Sequence, residues 1–313
     1  MRTLFLSLVL MPLLSTAAIF GTDDRVHVLP GDANSKLGRA TAIAVLSANI
    51  APSASNPELL DLDTTPLSEA LCKDEKFASD PSLSYACSGF LVAPDLIATA
   101  GHCMTNAGET RNETEMYCEA FGWLFDYQKG ASGTTTTKGI AKDRYYKCKK
   151  IIYAVKEETY PYRDYALVQL ERPVTGREPM KIASKSPGVG EAVSMMGYPF
   201  GTPLKLSSKA QVLIDNPERQ SQITNLDAFE GNSGSAVLNS AGEVAGILVG
   251  GTPYLSLVQD NVQQCQRYNR CDNRGENCTL PDTLNPGSKD FQGIGSEVQR
   301  IAPILELLRT QVR

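Results

Sequence analysis

The stretch Thr99-Ala100-Gly101-His102-Cys103 directly follows the apolar run Leu96-Ile97-Ala98, so that a histidine stands at the end of a predicted strand. A lone histidine is more often a structural residue than a functional one, and its neighbours decide the interpretation. Cys87 opens another short apolar segment, Cys87-Ser88-Gly89-Phe90-Leu91-Val92. A Cys87–Cys103 bridge would hold the loop that carries His102 against that neighbouring strand and present the ring rigidly to a cleft.

A second motif, Gly231-Asn232-Ser233-Gly234-Ser235, places a serine between glycines. A serine hydroxyl becomes a good nucleophile only when a base takes its proton and backbone N–H donors receive the oxyanion that forms. Glycine on both sides lets the backbone approach a substrate and adopt the unusual dihedral angles of such a turn. Taken alone, the pentapeptide would be interpreted as an ordinary turn.

Asp164 begins the segment Asp164-Tyr165-Ala166-Leu167-Val168-Gln169-Leu170, whose apolar content predicts a strand. An aspartate at this position can bond one nitrogen of a histidine, fix its tautomer and stabilise the imidazolium. By itself it would be interpreted as a solvated turn residue. In the order His102, Asp164, Ser233, each with a strand attached, the three residues form a candidate catalytic triad.

Short apolar runs bounded by Gly, Pro, Asn and Ser recur along the chain, whereas long helical periodicity is rare. Further strands are predicted at 42–46, 89–92, 192–196 and 244–249. Many short strands with polar turns favour a β-barrel or a sandwich. The apolar spacing within 301–308 predicts a C-terminal helix.

The N-terminus predicts a secretory signal peptide over residues 1–18. It has a positive charge at Arg2, an apolar run over 4–14 and small residues thereafter. The run is shorter than the roughly 20 apolar residues that span a bilayer. We expect cleavage after Ala17 or Ala18 and a secreted protein, either extracellular or periplasmic.

Eight cysteines in an exported chain favour disulfide bonds over thiol chemistry or a metal site. Two histidines and the absence of a CxxC pair give no ligand-spaced metal motif, so neither a metal nor a cofactor is expected. Cys118 and Cys148 bracket a long insertion, where a bridge is plausible. The other four cysteines allow three connectivities, of which Cys72–Cys265 with Cys271–Cys278 is one.

The composition is that of a globular protein: 313 residues, 42% hydrophobic and 21% charged, enough for one large domain or two packed subdomains. A net charge of −5 gives no electrostatic footprint for nucleic acid or for an anionic membrane surface. We expect neither as a partner.

Together, the TAGHC, DYALVQL and GNSGS segments resemble the trypsin/chymotrypsin superfamily of serine proteases. The GNSGS form is similar to its bacterial V8-like, glutamyl-endopeptidase-type branch. The resemblance implies an all-β fold, a chymotrypsin-like double β-barrel with a C-terminal α-helix. A peptidase domain over 19–313 would hold barrels at about 38–172 and 185–300 and a helix at about 297–311.

The resemblance also implies a secreted serine endopeptidase that works through an acyl-enzyme. His102 would be the general base, Asp164 would orient it, and Ser233 would be the nucleophile. Backbone N–H groups of Gly231 and Ser233 would form the oxyanion hole, and Leu248-Val249-Gly250 would pair with substrate backbone as an added strand. The expected partners are protein or peptide substrates, and the expected state is a monomer.

Specificity is where the sequence departs from the pattern. Asp227 lies six residues before Ser233, the offset of the acidic pocket residue in trypsin-like enzymes, which predicts a preference for Arg or Lys at P1. Alternatively, Asp227 caps a turn or bonds backbone near the oxyanion loop. Leu248 replaces the histidine with which glutamyl endopeptidases hold the substrate carboxylate. This counts against a glutamyl endopeptidase.

The sequence also bears on activation and on whether the scaffold is catalytic. Asn232 stands where trypsin-like zymogens carry the aspartate that binds a new N-terminal amine, so we expect signal-peptide removal to suffice for activation. A secreted, non-catalytic binding module on a protease scaffold would usually have lost a member of the triad. Here all three are present.

Overall fold

The computed structural model describes residues 18–106, 111–215, 218–251, 256–279 and 295–311. The predicted signal peptide therefore lies outside the described residues, apart from Ala18, which is buried. None of the helices in these ranges is long and apolar enough to cross a membrane.

Strands dominate the described chain. In chain order they are β1 (Ile19–Phe20), β2 (Val26–His27), β3 (Thr41–Leu46), β4 (Ile50–Pro52), β5 (Leu59–Leu62), β6 (Thr65–Pro66), β7 (Pro81–Ser82), β8 (Cys87–Ala93), β9 (Leu96–Thr99), β10 (Phe121–Phe125), β11 (Ile140–Ala141), β12 (Tyr145–Lys156), β13 (Asp164–Leu170), β14 (Ala192–Gly197), β15 (Lys205–Asp215), β16 (Ser221–Thr224), β17 (Ala236–Asn239), β18 (Val244–Gly251), β19 (Leu257–Asp260), β20 (Cys265–Tyr268), β21 (Arg270–Cys271) and β22 (Ser296–Arg300). The α-helices are α1 (Ser35–Arg39), α2 (Arg111–Ala120) and α3 (Ala302–Gln311).

The first barrel is a closed ring in the order β10-β12-β13-β9-β8-β3. Its strands include the apolar runs that the sequence predicted at 42–46, 89–92, 96–99 and 165–170. These runs are buried along nearly their whole length because the barrel interior takes one face and neighbouring segments cover the other. Trp123 of β10 is fully buried in this core.

The second barrel is a ring in the order β14-β17-β18-β22-β16-β15, closed by pairing of β14 with β15. The short strand β2 adds to β15 outside this ring. The predicted all-β, chymotrypsin-like double β-barrel is therefore confirmed.

The C-terminal helix begins later than the sequence predicted. Residues 296–300 form β22 and not the first turn of a helix that starts at about 297. β22 pairs with β16 on one side and with β18 on the other, so it completes the second barrel. The helix itself covers Ala302–Gln311, in agreement with the apolar spacing within 301–308.

All eight cysteines form disulfide bonds: Cys72–Cys265, Cys87–Cys103, Cys118–Cys148 and Cys271–Cys278. The predicted Cys87–Cys103 bridge is confirmed. It ties the start of β8 to the turn after β9. Of the three connectivities open to the last four cysteines, the structure has Cys72–Cys265 with Cys271–Cys278, which joins the chain before β8 to the start of β20.

The loop lengths closed by these bonds predict unequal contributions to stability. Cys72 and Cys265 are 193 residues apart, whereas Cys271 and Cys278 are 7 apart. The chain-entropy relation gives about 5 kcal/mol for the long loop and about 2 kcal/mol for the short one. We expect C72A/C265A to lower the free energy of unfolding more than C271A/C278A, measured by urea unfolding without reductant. Equal losses would contradict this expectation.

Candidate active site

His102 lies in a single 3-10 turn, Gly101–Cys103, at the end of β9. A side chain at Gly101 would place its Cβ 1.8 Å from the carbonyl oxygen of Val155, so only glycine lets this turn pack against β12. The disulfide from Cys103 to Cys87 fixes the far end of the turn. The His102 ring and the sulfur atoms of Cys87 and Cys103 lie close enough together to suggest a metal site. Both sulfur atoms are in the disulfide, however, and are not thiolate ligands.

Asp164 is the first residue of β13 and is 3% exposed. Its Oδ1 accepts the backbone N–H of His102, and its Oδ2 lies 2.9 Å from His102 Nδ1. A proton on Nδ1 satisfies this bond and leaves Nε2 free to accept one. The structure therefore brings His102 and Asp164 together in the orientation that a general base requires.

Two groups that the sequence did not single out also hold Asp164. Lys156 Nζ donates to Oδ2 at 2.9 Å, and the backbone N–H of Asp164 donates to Gln299 Oε1 at 3.1 Å. Burial alone would raise the pKa of Asp164. The charges of His102 and Lys156 and the hydrogen bonds to the carboxylate outweigh burial, so its pKa lies below the usual value.

Ser233 lies against the histidine turn. Its carbonyl oxygen accepts the N–H of Ser88 at 2.7 Å and lies 3.8 Å from Cys103 Sγ. Within the described residues, no hydrogen bond joins Ser233 Oγ to His102 Nε2. Such catalytic hydrogen bonds are often long without substrate and shorten when it binds.

The backbone around Ser233 divides into donors that are used and donors that are free. The N–H groups of Asn232, Gly234 and Ser235 donate to carbonyl oxygens of the same barrel. Those of Gly231 and Ser233 donate to no acceptor in the described part of the chain. Two free N–H groups on either side of Asn232 are therefore available as the donors that the predicted oxyanion hole requires.

Gly231 allows this arrangement because it adopts φ +88°. A side chain there would also place its Cβ 2.4 Å from the carbonyl oxygen of Tyr198. Ser88 supports the same loop from the first barrel, since its hydroxyl donates to the Gly231 carbonyl at 2.8 Å and accepts the N–H of Tyr198 at 3.0 Å. Sequence reasoning missed Ser88, although a serine inside the apolar run of β8 was a visible signal for a buried polar role.

Leu248-Val249-Gly250 lies in β18. The N–H and carbonyl of Leu248 already bond Ser235 and Gly234, and its side chain is buried. β22 pairs with one edge of β18, whereas β17 pairs with the other edge only as far as Ile247. Leu248 therefore supports the loop of residues 231–235, hereafter the serine loop. Pairing of substrate with Val249 and Gly250 stays a prediction.

Asp227 faces the N-terminal segment. Its Oδ1 accepts the N–H of Phe20 at 2.7 Å and its Oδ2 accepts the N–H of Asp24 at 3.3 Å. This geometry favours backbone bonding by Asp227 over a role as the base of a pocket. Burial raises the pKa of Asp227 to about 7, against the opposing effects of the Phe20 N–H and Arg25.

The anchored segment also carries Arg25, which is 1% exposed. Its guanidinium lies 4.6 Å from the ring centroid of Phe229 and 4.3 Å from that of Tyr268, while Asp23 pairs with it. Phe229 stands two residues before Gly231. The N-terminal segment is therefore packed directly beneath the loop that bears the free N–H groups.

A cavity of about 900 Å³ lies on the outside of the first barrel between β12 and α2. None of the three predicted triad residues lines it. The chemistry of the candidate site rests on the cluster around Asp164 and not on this cavity.

The raised pKa of Asp227 predicts a pH dependence of stability. Its ordinary value is about 4, so between about pH 4 and pH 7 the folded protein binds the proton that the unfolded chain has lost. The free energy of unfolding should therefore fall as the pH rises through this window and level off above about 7. In D227N this contribution is absent.

Urea unfolding of wild type and D227N at several pH values between 4 and 8 measures this effect. The difference in unfolding free energy, wild type minus variant, should decrease with rising pH across the window. A difference that stays constant with pH would contradict a raised pKa of Asp227 in the folded protein.

Two solved proteases are similar in fold to this chain. One is a Glu endopeptidase, solved in complex with MPD, with 17% identity and a TM-score of 0.48; the match covers 75% of this chain and 88% of that one. The other is the serine endoprotease from Yersinia pestis, with 13% identity and a TM-score of 0.45; that match covers 88% of this chain and 64% of that one. No curated protein matches the sequence.

A family model, described as the trypsin-like peptidase domain, matches residues 87–247. The match begins at Cys87 in β8 and ends at Ile247 in β18. It includes the histidine turn, Asp164 and the serine loop. Because it covers more than half of the 313 residues, the chain belongs to the family of trypsin-like peptidase domains.

Proposed function

We propose that the protein is a secreted serine endopeptidase that cleaves peptide bonds in protein or peptide substrates through an acyl-enzyme. The observation that carries the proposal is the pair of hydrogen bonds that His102 donates to Asp164, beside a serine whose own N–H and that of Gly231 are both free. Export is supported by four disulfide bonds, which form in oxidising compartments.

The chemistry begins with the serine. Ser233 Oγ attacks the carbonyl carbon of the substrate while its proton moves to His102 Nε2. The N–H groups of Gly231 and Ser233 bond the oxyanion, and Asp164 stabilises the imidazolium through Nδ1. His102 then gives the proton to the leaving amine and an ester to Ser233 remains. Water attacks this ester by the same steps in reverse and releases the acid.

A glutamyl endopeptidase remains disfavoured, because Leu248 is an apolar, buried residue that offers a substrate carboxylate no donor from its side chain. The predicted preference for Arg or Lys loses the support that it drew from Asp227, whose two oxygens bond backbone. The proposed function is therefore peptide-bond hydrolysis by an endopeptidase. The P1 preference requires a separate measurement.

The reaction is tested with a fluorophosphonate probe on the folded, disulfide-bonded protein. We expect a stoichiometric adduct on Ser233, none on S233A, and hydrolysis of denatured protein substrates by wild type only. D164N should lower kcat by about four orders of magnitude, because the ring loses the partner that fixes its tautomer. A folded wild-type protein that forms no adduct would favour the non-catalytic binding module.

A panel of peptides that differ only at P1 tests the role of Asp227. If Asp227 is a backbone anchor, D227N should keep the same order of preference among P1 residues as wild type. Loss of cleavage after Arg and Lys in D227N, with other residues unaffected, would instead restore the pocket assignment. The folded state of the variant is checked by fluorophosphonate labelling before the panel is run.

A further inference from the structure

Lys156 is the last residue of β12 and pairs directly with Asp164 across the antiparallel ladder. Its Nζ lies 2.9 Å from Asp164 Oδ2, the same oxygen that His102 Nδ1 contacts at 2.9 Å. The carboxylate oxygen that orients the histidine is therefore shared between an imidazole and an ammonium group. The Lys156 side chain is 31% exposed, whereas that of Asp164 is 4% exposed.

This contact differs from an ordinary surface ion pair. An exposed pair contributes little because water screens both charges. Here one partner is buried, and a buried carboxylate needs paired charge and hydrogen bonds to stay ionised. Within the described chain, the Asp164 side chain accepts hydrogen bonds from the His102 N–H, the His102 ring and Lys156. Lys156 is the one of these donors that lies outside the histidine turn.

We propose that Lys156 is a positioning residue of the candidate active site, which acts through Asp164 and sets the pH range in which His102 works as a base. The proposal rests on the proposed peptidase function. Lys156 holds the carboxylate in place and ionised. Its positive charge also stands beside a ring that gains a proton during catalysis, and two positive charges close together repel.

The other polar and charged groups near Asp164 do not supply a competing positive charge. On the connection between β12 and β13, Arg163 is paired with Glu157, so their charges balance locally. Tyr165, next along β13, stacks on Tyr153, and burial raises its pKa to about 12, so it is neutral at working pH. In the histidine turn Cys103 is in a disulfide, and β22 contributes the neutral amide of Gln299. Among the described residues, the cation that bonds Asp164 is thus Lys156.

Three variants separate charge from hydrogen bonding. K156M removes both, K156Q keeps an amide donor without charge, and K156R keeps the charge. The matched control is K150M, which removes an exposed lysine from the same strand. The measurement is kcat and KM for one peptide substrate from pH 5 to pH 10, with unfolding temperature recorded for each variant.

We expect K156M and K156Q to move the acid limb of the kcat/KM profile upward by roughly half to one pH unit, because the ring keeps its proton to higher pH without the neighbouring cation. KM on the plateau should be unchanged, and plateau kcat should fall in K156M. K156R and K150M should match wild type. High salt should shrink the shift between wild type and K156Q.

An acid limb that is the same in K156Q as in wild type would overturn the proposal and leave Lys156 as a structural ion pair. If K156M does not fold, K156Q and K156R carry the test. Failure of the proposed function is a separate outcome, because it appears as a wild-type protein that forms no fluorophosphonate adduct. A wild-type protein that reacts, with variants that show no shift, contradicts only the role of Lys156.

Discussion

The buried carboxylate of Asp164 is the constraint on which the candidate site depends. An ionised carboxylate with almost no exposure is costly unless charge and donors surround it. The carboxylate accepts hydrogen bonds from the turn after β9 and from the end of β12, and Gln299 of β22 accepts the backbone N–H of the same residue. The first barrel must close and β22 of the second barrel must pair before all three groups reach Asp164. Stability of the site and completion of the fold are therefore linked.

The serine loop also depends on the packing of the two barrels against each other. Its supports are Ser88 of the first barrel, Leu248 of the second barrel and the N-terminal segment held by Asp227. None of these groups reacts, but each holds backbone whose N–H directions matter. Preorganised donors are effective because they need no rearrangement when charge develops. The loop is thus held from several directions, and Ser233 is presented at the point where the two barrels meet.

The barrel strands, the Cys87–Cys103 bridge and the segments that bring His102 and Asp164 together could be predicted from the sequence, because each has a local signature. Apolar runs and glycine turns depend on neighbours within a few residues. Prediction failed where partners are distant in the chain. Asp227 bonds a residue 207 positions away, and no spacing rule reveals such a contact. The start of α3, expected at about 297, was also placed too early, because residues 296–300 pair with β16 and β18, which lie far away in the sequence.

Ser88 has a consequence for how the enzyme would fail under stress. It is fully buried, belongs to the first barrel, and bonds three backbone groups of the second, two through its hydroxyl and one through its N–H. Separation of the barrels by a few ångströms would break these bonds and expose polar groups, even if each barrel kept its own sheet. Catalytic activity would then be lost while most of the secondary structure survived. Loss of activity would therefore report separation of the two barrels. If the proposed function is correct, the protein would therefore lose activity towards its neighbours before its own chain unfolded enough to be cleaved.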